Sequence, residues 1–83
     1  MTAAPPVPVA VIGLGAIGRE VVKAVRARPG LTLVGAADPA FVGRDAGEVA
    51  GVGAAGVPVR ATVDEALAGA EVALVLTLSL IHI

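Results

Sequence analysis

Cysteine is absent from this chain of 83 residues, and histidine occurs once, at His82. No disulfide framework or thiolate metal site can be built, and a single imidazole cannot supply a zinc cluster. The same shortages leave no Cys/His or Ser/His/Asp set for nucleophilic catalysis. An excess of one charge is lacking too: 6 Lys and Arg stand against 7 Asp and Glu, a formal net charge of −1. That balance gives no long-range attraction to nucleic acid or to an anionic membrane surface, so neither is an expected partner. The strongest apolar run begins after Glu71 and falls short of the roughly 20 residues that a spanning helix needs. The first cation is Arg19, too far along for the charged leader of a secretory signal. Cytoplasm is therefore the expected location, and residues 1–6, "MTAAPP", read as a loose, proline-stiffened start. A chain this short buries only about 60% of its unfolded surface, so one small domain with a thin core is expected.

What the chain does have is glycine at telling places, set between apolar runs. Val7 to Ile12 is apolar and largely β-branched, with Pro8 near the start, where a missing N–H is tolerable, and reads as a strand buried on both faces. From Ala16 to Arg28 the period changes: Ile17, Val21, Val25 and, on the adjoining row, Val22 recur at helical spacing until Pro29-Gly30 stops the helix. Leu31 to Ala37 is a second strand and Val57 to Ala61 a third. Thr62 and Glu65 then have the spacing of a capping box ahead of a short helix, Val63 to Ala68. Glu71 to Thr77 is a fourth strand, continuously apolar as parallel strands covered on both faces are. A short helix is expected near Asp45 to Ala50. Alternating strands and helices predict a partial Rossmann α/β fold: a truncated, doubly wound parallel sheet of about four strands with flanking helices, over residues 7–77.

The stretch Val9 to Glu20, "VAVIGLGAIGRE", contains a G-x-G-x-x-G pattern that chance alone produces in glycine-rich sequences. Here it follows a buried strand and opens an amphipathic helix, and Asp38 stands 20 residues after Gly18 at the end of the next strand. Those contexts together point to a dinucleotide site. Gly13 would permit the tight turn, Gly15 would leave room for a pyrophosphate, and Gly18 would let helix and strand pack closely. The free N–H groups at the helix start would face the pyrophosphate, and Asp38 would accept hydrogen bonds from the adenosine ribose. A carboxylate there repels a 2′-phosphate, which favours NAD over NADP; Arg44, six residues on, is the cation that could reach such a phosphate. Asp45 and Glu48 have the look of a paired-carboxylate acid/base site, but acids at that spacing on a short helix more commonly form a solvated face or complement a helix N-terminus.

Gly35-Ala36-Ala37-Asp38, then "GRDAGEVAG" from Gly43 to Gly51, then Gly56-Val57-Pro58-Val59 resemble the N-terminal half of dihydrodipicolinate reductase. The resemblance runs from Val9 to Thr77. It implies a two-domain, usually tetrameric enzyme that reduces a cyclic dihydropyridine dicarboxylate intermediate of lysine synthesis with NADH or NADPH. It carries cofactor roles onto Gly13, Gly15, Ala16, Ile17, Gly18 and Asp38, and onto Thr77, whose counterpart lies near the nicotinamide ribose. The catalytic acid and the substrate-binding cations of the family lie in a later domain, so no catalytic residue and no metal ligand are expected in this chain.

The pattern departs from that family in two places. Ala16-Ile17 stand where the family commonly has an Arg-Met pair, and Pro39 where an arginine often follows the acid. "GLGAIG" is closer to the related diaminopentanoate and amino-acid dehydrogenases, so an oxidative deaminating dehydrogenase is the nearest alternative. A non-enzymatic dinucleotide-binding regulatory module and a structural α/β domain without ligand are the others. Leu78 to Ile83, "LSLIHI", resembles a translated sequencing-library adapter, so residues 78–83 are expected to be a non-native tail and the chain a fragment lacking its substrate domain.

Overall fold

The computed structural model describes residues 5–76. In chain order the elements are β1 (Val7–Ile12), α1 (Ala16–Ala27), β2 (Leu31–Ala37), α2 (Ala46–Val49), β3 (Val59–Arg60), α3 (Val63–Leu67) and β4 (Val72–Val75). The four strands form one all-parallel sheet in the order β3-β2-β1-β4. The chain steps outward from β1 to β3 and then returns to the other side of β1, so the strand order reverses at β1. In open α/β sheets a crevice forms at that reversal, beyond the carboxyl ends of the strands.

Side-chain alternation divides the core between the two faces of the sheet. Val9 and Val11 of β1, Leu33 and Ala36 of β2 and Val59 of β3 pack with Val22 and Val25 of α1 and with Ala46 and Ala50 around α2. On the opposite face Ile12, Ala37 and Ala66 of α3 form a second, smaller cluster. Helix α3 comes so close to β2 that a Cβ built on Gly35 would fall inside the Ala66 carbonyl oxygen and 2.8 Å from its carbon. One extra residue in β2, Val34, shifts the β1–β2 register between Val9 and Ala10; beyond it Ile12 still pairs with Ala37, which brings the two strands to the same edge.

Strands β1 and β2 have the bounds expected from sequence, and three other elements correct the reading in detail. Helix α1 ends at Ala27, with Arg28 as its C-cap donating to the Val25 carbonyl at 3.2 Å. Its buried face is Gly18, Val22 and Val25, whereas Ile17 is 64% exposed. Gly18 takes the row nearest the sheet because it alone fits there, and that turns Ile17 outward. Strand β3 is shorter than expected because Pro58 has no N–H to give and Val57 donates its own to Asp45. Strand β4 was expected to be covered on both faces, yet it is exposed along its whole length, with Val75 at 63%. Among the described residues it pairs on one side only, with β1, and its side chains stay exposed.

The capping box before α3 is present in altered form. Thr62 Oγ1 accepts the Glu65 N–H at 3.3 Å, but it donates to the Glu65 carboxylate at 3.1 Å, in place of the usual return bond to its own N–H. Among the described residues no helix is long and apolar enough to cross a membrane, and no three Asp or Glu residues group so as to hold a metal ion.

Candidate functional site

The glycine loop is set by two hydrogen bonds that tie the end of β1 to the end of β2. Gly13 donates to the Ala37 carbonyl at 2.8 Å, with a φ of 98° that an L side chain rarely tolerates. Leu14, fully buried, then donates its N–H to Asp38 Oδ2 at 2.7 Å. Gly15 is the N-cap of α1 in an extended conformation, and no side chain caps that end. The first turn also holds no acidic residue, so no side chain of α1 itself takes up its first N–H groups.

The glycines meet different surroundings. A Cβ on Gly15 would have nothing within 4 Å, so the space before it is open. A Cβ on Gly18 would overlap the Gly13 carbonyl oxygen and stand 2.8 Å from its carbon. Gly18 thus holds the helix against the loop, while Gly15 faces a void. Ala16 and Ile17, between them, are exposed residues of the first turn.

Asp38 sits just beyond β2. Its N–H donates to the Arg60 carbonyl at 3.0 Å, and its Oδ1 accepts the Ala40 N–H at 2.8 Å across the Pro39 turn. Each carboxylate oxygen carries two lone pairs, so the two backbone bonds leave one acceptor position on each. The carboxylate both fixes the glycine loop and stays open to a hydroxyl.

These pieces converge on one open cleft of about 390 Å³. Its walls are the carboxyl ends of all four strands: Ile12 and Gly13 at the end of β1, Ala37 and Asp38 at the end of β2, Ala61 just after β3 and Leu76 just after β4. Gly15 closes one side, and Pro39 and Val63 make the rest of the wall apolar. The structure therefore brings together Gly13, Gly15 and Asp38 of the residues expected from sequence, with Ala16, Ile17 and Gly18 contributing the adjoining helix start. Arg44 is not on this wall; its guanidinium lies 6.0 Å from the centre of the Phe41 ring. Thr77, expected near the nicotinamide ribose, and the residues of the expected tail lie outside the described residues.

Asp45 and Glu48 do not form an acid/base pair. Asp45 accepts backbone N–H groups from Ala55 at 2.8 Å, Val57 at 3.0 Å and Glu48 at 3.1 Å, which makes it the N-cap of α2 and the tie of the loop after it. Those donors, Ala55 first, hold its carboxyl below the usual carboxylate range. The spacing of the two acids already pointed to a helix N-terminus; sequence reasoning missed the ties from Asp45 to Ala55 and Val57. It also missed the Pro39, Ala61 and Val63 wall, for which single apolar residues in loops give no signal.

Comparison with known proteins gives the family. The family model described as "Dihydrodipicolinate reductase, N-terminus" matches residues 7–80. Proteins named 4-hydroxy-tetrahydrodipicolinate reductase are among the relatives. The one from Gloeobacter violaceus is 54% identical over 48 residues, covering 57% of this chain and 18% of its own length. The one from a Synechocystis species is 48% identical over 64 residues, covering 74% and 23%. A third, from a Cyanothece species, is 48% identical over 67 residues, covering 77% and 24%. The chain thus spans about a fifth of the length of the curated relatives it matches. With its parallel sheet, its glycine loop tied to Asp38 and a match over most of its residues, the chain belongs to the dihydrodipicolinate reductase family, in that family's N-terminal portion.

Proposed function

We propose that this chain binds a nicotinamide dinucleotide across the glycine loop and Asp38. On this reading it is the cofactor-holding part of a reductase that acts on a cyclic imine dicarboxylate in lysine biosynthesis. Family membership implies the cofactor class. The observation that carries the reading is the open space before Gly15, beside a helix start that no side chain caps. Anions settle at such helix ends because backbone N–H groups point at them and the dipole is favourable.

The roles follow from position. Gly13 makes the turn, Gly15 admits the pyrophosphate to the backbone, and the N–H groups of Ala16, Ile17 and Gly18 are the donors for it. Asp38 accepts from the adenosine ribose through the lone pairs left free by Leu14 and Ala40. Its carboxylate repels a further anion at that place, which favours NADH over NADPH. Thr77 is the candidate for the nicotinamide ribose. When bound, the nicotinamide supplies a hydride; the protein's part is to hold and orient it. The substrate and the acid that protonates it belong to the longer protein that the relatives represent, which we take to be a homo-oligomer.

Titration of the chain with NADH, followed by cofactor fluorescence and by the shift in unfolding temperature, tests this. Saturable binding with a rising Tm is expected, since a ligand that binds only the folded state stabilises it. No binding at about 1 mM cofactor, a Kd weaker than about −4 kcal/mol of binding energy, contradicts the reading.

A further inference from the structure

Arg60 ends β3 and pairs in register with Ala37, one residue before Asp38. Paired residues on neighbouring strands share a face of the sheet. Ala37 faces Ile12 and Ala66, and both Ala37 and Ile12 line the cleft. Arg60 therefore shares that face of the sheet; it does not itself line the cleft but directly precedes the wall residue Ala61, and its carbonyl holds the Asp38 N–H at 3.0 Å. Its side chain is exposed, and among the described residues it has no carboxylate within ion-pair distance; the ion pair found there joins Lys23 and Glu20. Arg44 stands differently. It stacks over Phe41, which packs against the core on the α1 and α2 face, away from the cleft.

We propose that Arg60, and not Arg44, is the specificity-determining cation that admits a 2′-phosphorylated dinucleotide at this site. The inference rests on the dinucleotide reading above. With the adenosine ribose at Asp38, a 2′-substituent lies at the end of β2, and the neighbouring strand is only about 4.8 Å away. Arginine's planar fork suits a phosphate bidentately and is always charged. Asp38 works against the phosphate; Arg60, one strand over, offsets it. The balance of the two sets how strongly NADH is preferred.

The test is a titration of the chain with NADPH and with NADH, separately, in wild type, Arg60→Gln, Arg60→Lys and Arg44→Gln. Wild type is expected to bind both. Arg60→Gln should weaken NADPH by roughly ten- to hundredfold, the range of a hydrogen bond to a charged group, and leave NADH unchanged. Arg60→Lys should keep part of the NADPH affinity, as a point charge without the fork. The proposal is overturned by unchanged NADPH binding in Arg60→Gln, by equal losses for both cofactors, by a loss that follows Arg44→Gln instead, or by a wild type that binds NADH alone. A wild type that binds neither nucleotide removes the dinucleotide reading and this inference with it. Circular dichroism of each variant guards against misfolding, which would lower both affinities alike.

Discussion

Gly18→Ala and Gly15→Ala separate packing from ligand access at neighbouring positions of one loop. By local propensity alone, alanine inside α1 should help, because glycine in a helix costs about 0.5–1 kcal/mol relative to it. At Gly18 the surroundings reverse that sign. A Cβ there overlaps the Gly13 carbonyl oxygen and lies 2.8 Å from the Gly13 carbon. Non-bonded carbons prefer about 3.5–4.0 Å, so the start of α1 must retreat by roughly 1 Å. Overpacking of this kind costs about 1–3 kcal/mol, which leaves a net loss of up to about 2.5 kcal/mol, with a midpoint of about 1 kcal/mol, after the propensity gain. In a domain of this size the midpoint lowers Tm by roughly 4–8 °C. At Gly15 the same substitution meets nothing within 4 Å, and its φ of −69° suits any residue. Gly15→Ala should leave Tm within about 2–4 °C, a surface-sized change of about 0.5 kcal/mol, and instead weaken NADH. Thermal melts by circular dichroism, paired with NADH titrations, read both effects. A Gly18→Ala chain as stable as wild type, or a Gly15→Ala chain that unfolds, would refute the packing argument.

Other variants probe the remaining ties. Asp38→Ala removes the acceptor of the part-buried Leu14 N–H and should cost about 1 kcal/mol or more in urea unfolding, together with a loss of NADH affinity; a variant that binds NADH as before would remove Asp38 from the site. The Asp45 carboxyl is held below its ordinary value when folded, so its contribution to stability is full above the unfolded pKa of about 3.9 and is lost as pH falls through the lower folded value. Asp45→Asn should therefore flatten the acid side of the stability curve below about pH 4, and an acid limb identical to wild type would deny the linkage. Gly35→Ala should lower Tm by forcing α3 off β2, since its Cβ would enter the Ala66 carbonyl; amide exchange localised to α3 would report it. Among the described residues β4 pairs on one side only and is exposed, so Leu74→Lys should reduce any self-association seen in sedimentation velocity, and an unchanged profile would show that this edge is not what associates.

Much of this architecture could be read from residue periods. Strands β1 and β2 have continuous apolar runs closed by Gly13 and by Asp38-Pro39, so their ends are legible to the residue. The helices α1 and α3 carry stop and cap signals at Pro29-Gly30 and Thr62. What periodicity could not supply was the facing of each element. Ile17 looked like part of the buried stripe, but the contact between Gly18 and Gly13 rotates α1 so that Ile17 is solvent-facing; a glycine leaves no hydrophobic signature to reveal that. The exposure of β4 was hidden for the opposite reason. Its composition matches a doubly covered strand, and composition does not tell whether covering elements are present.

The site was legible in its backbone and not in its charges. G-x-G-x-x-G with Asp38 pointed to the loop and the carboxylate, and the Leu14 to Asp38 bond joins them at 2.7 Å. Linear spacing made Arg44 the nearest cation, while pairing of β3 with β2 puts Arg60 beside Ala37, on the same face of the sheet and one residue before the wall residue Ala61. A residue 22 positions after Asp38 comes beside it only through that pairing. Asp45 shows the same limit: its bonds to Ala55 and Val57 span 10 and 12 residues and leave no local pattern beyond its helix cap.

A dinucleotide held by the glycine loop and Asp38 touches the backbone at the carboxyl ends of β1 and β2. Amide chemical-shift mapping during an NADH titration of the labelled protein measures this directly. The largest shifts should fall on the backbone of Gly13 to Gly18 and on Asp38 to Ala40, and they should vanish in Gly15→Ala. Shifts confined to the groove between α1 and α2, around Lys23 and Gly51, or no shifts at about 1 mM NADH, where a weak complex of about −4 kcal/mol would already be half formed, would contradict it.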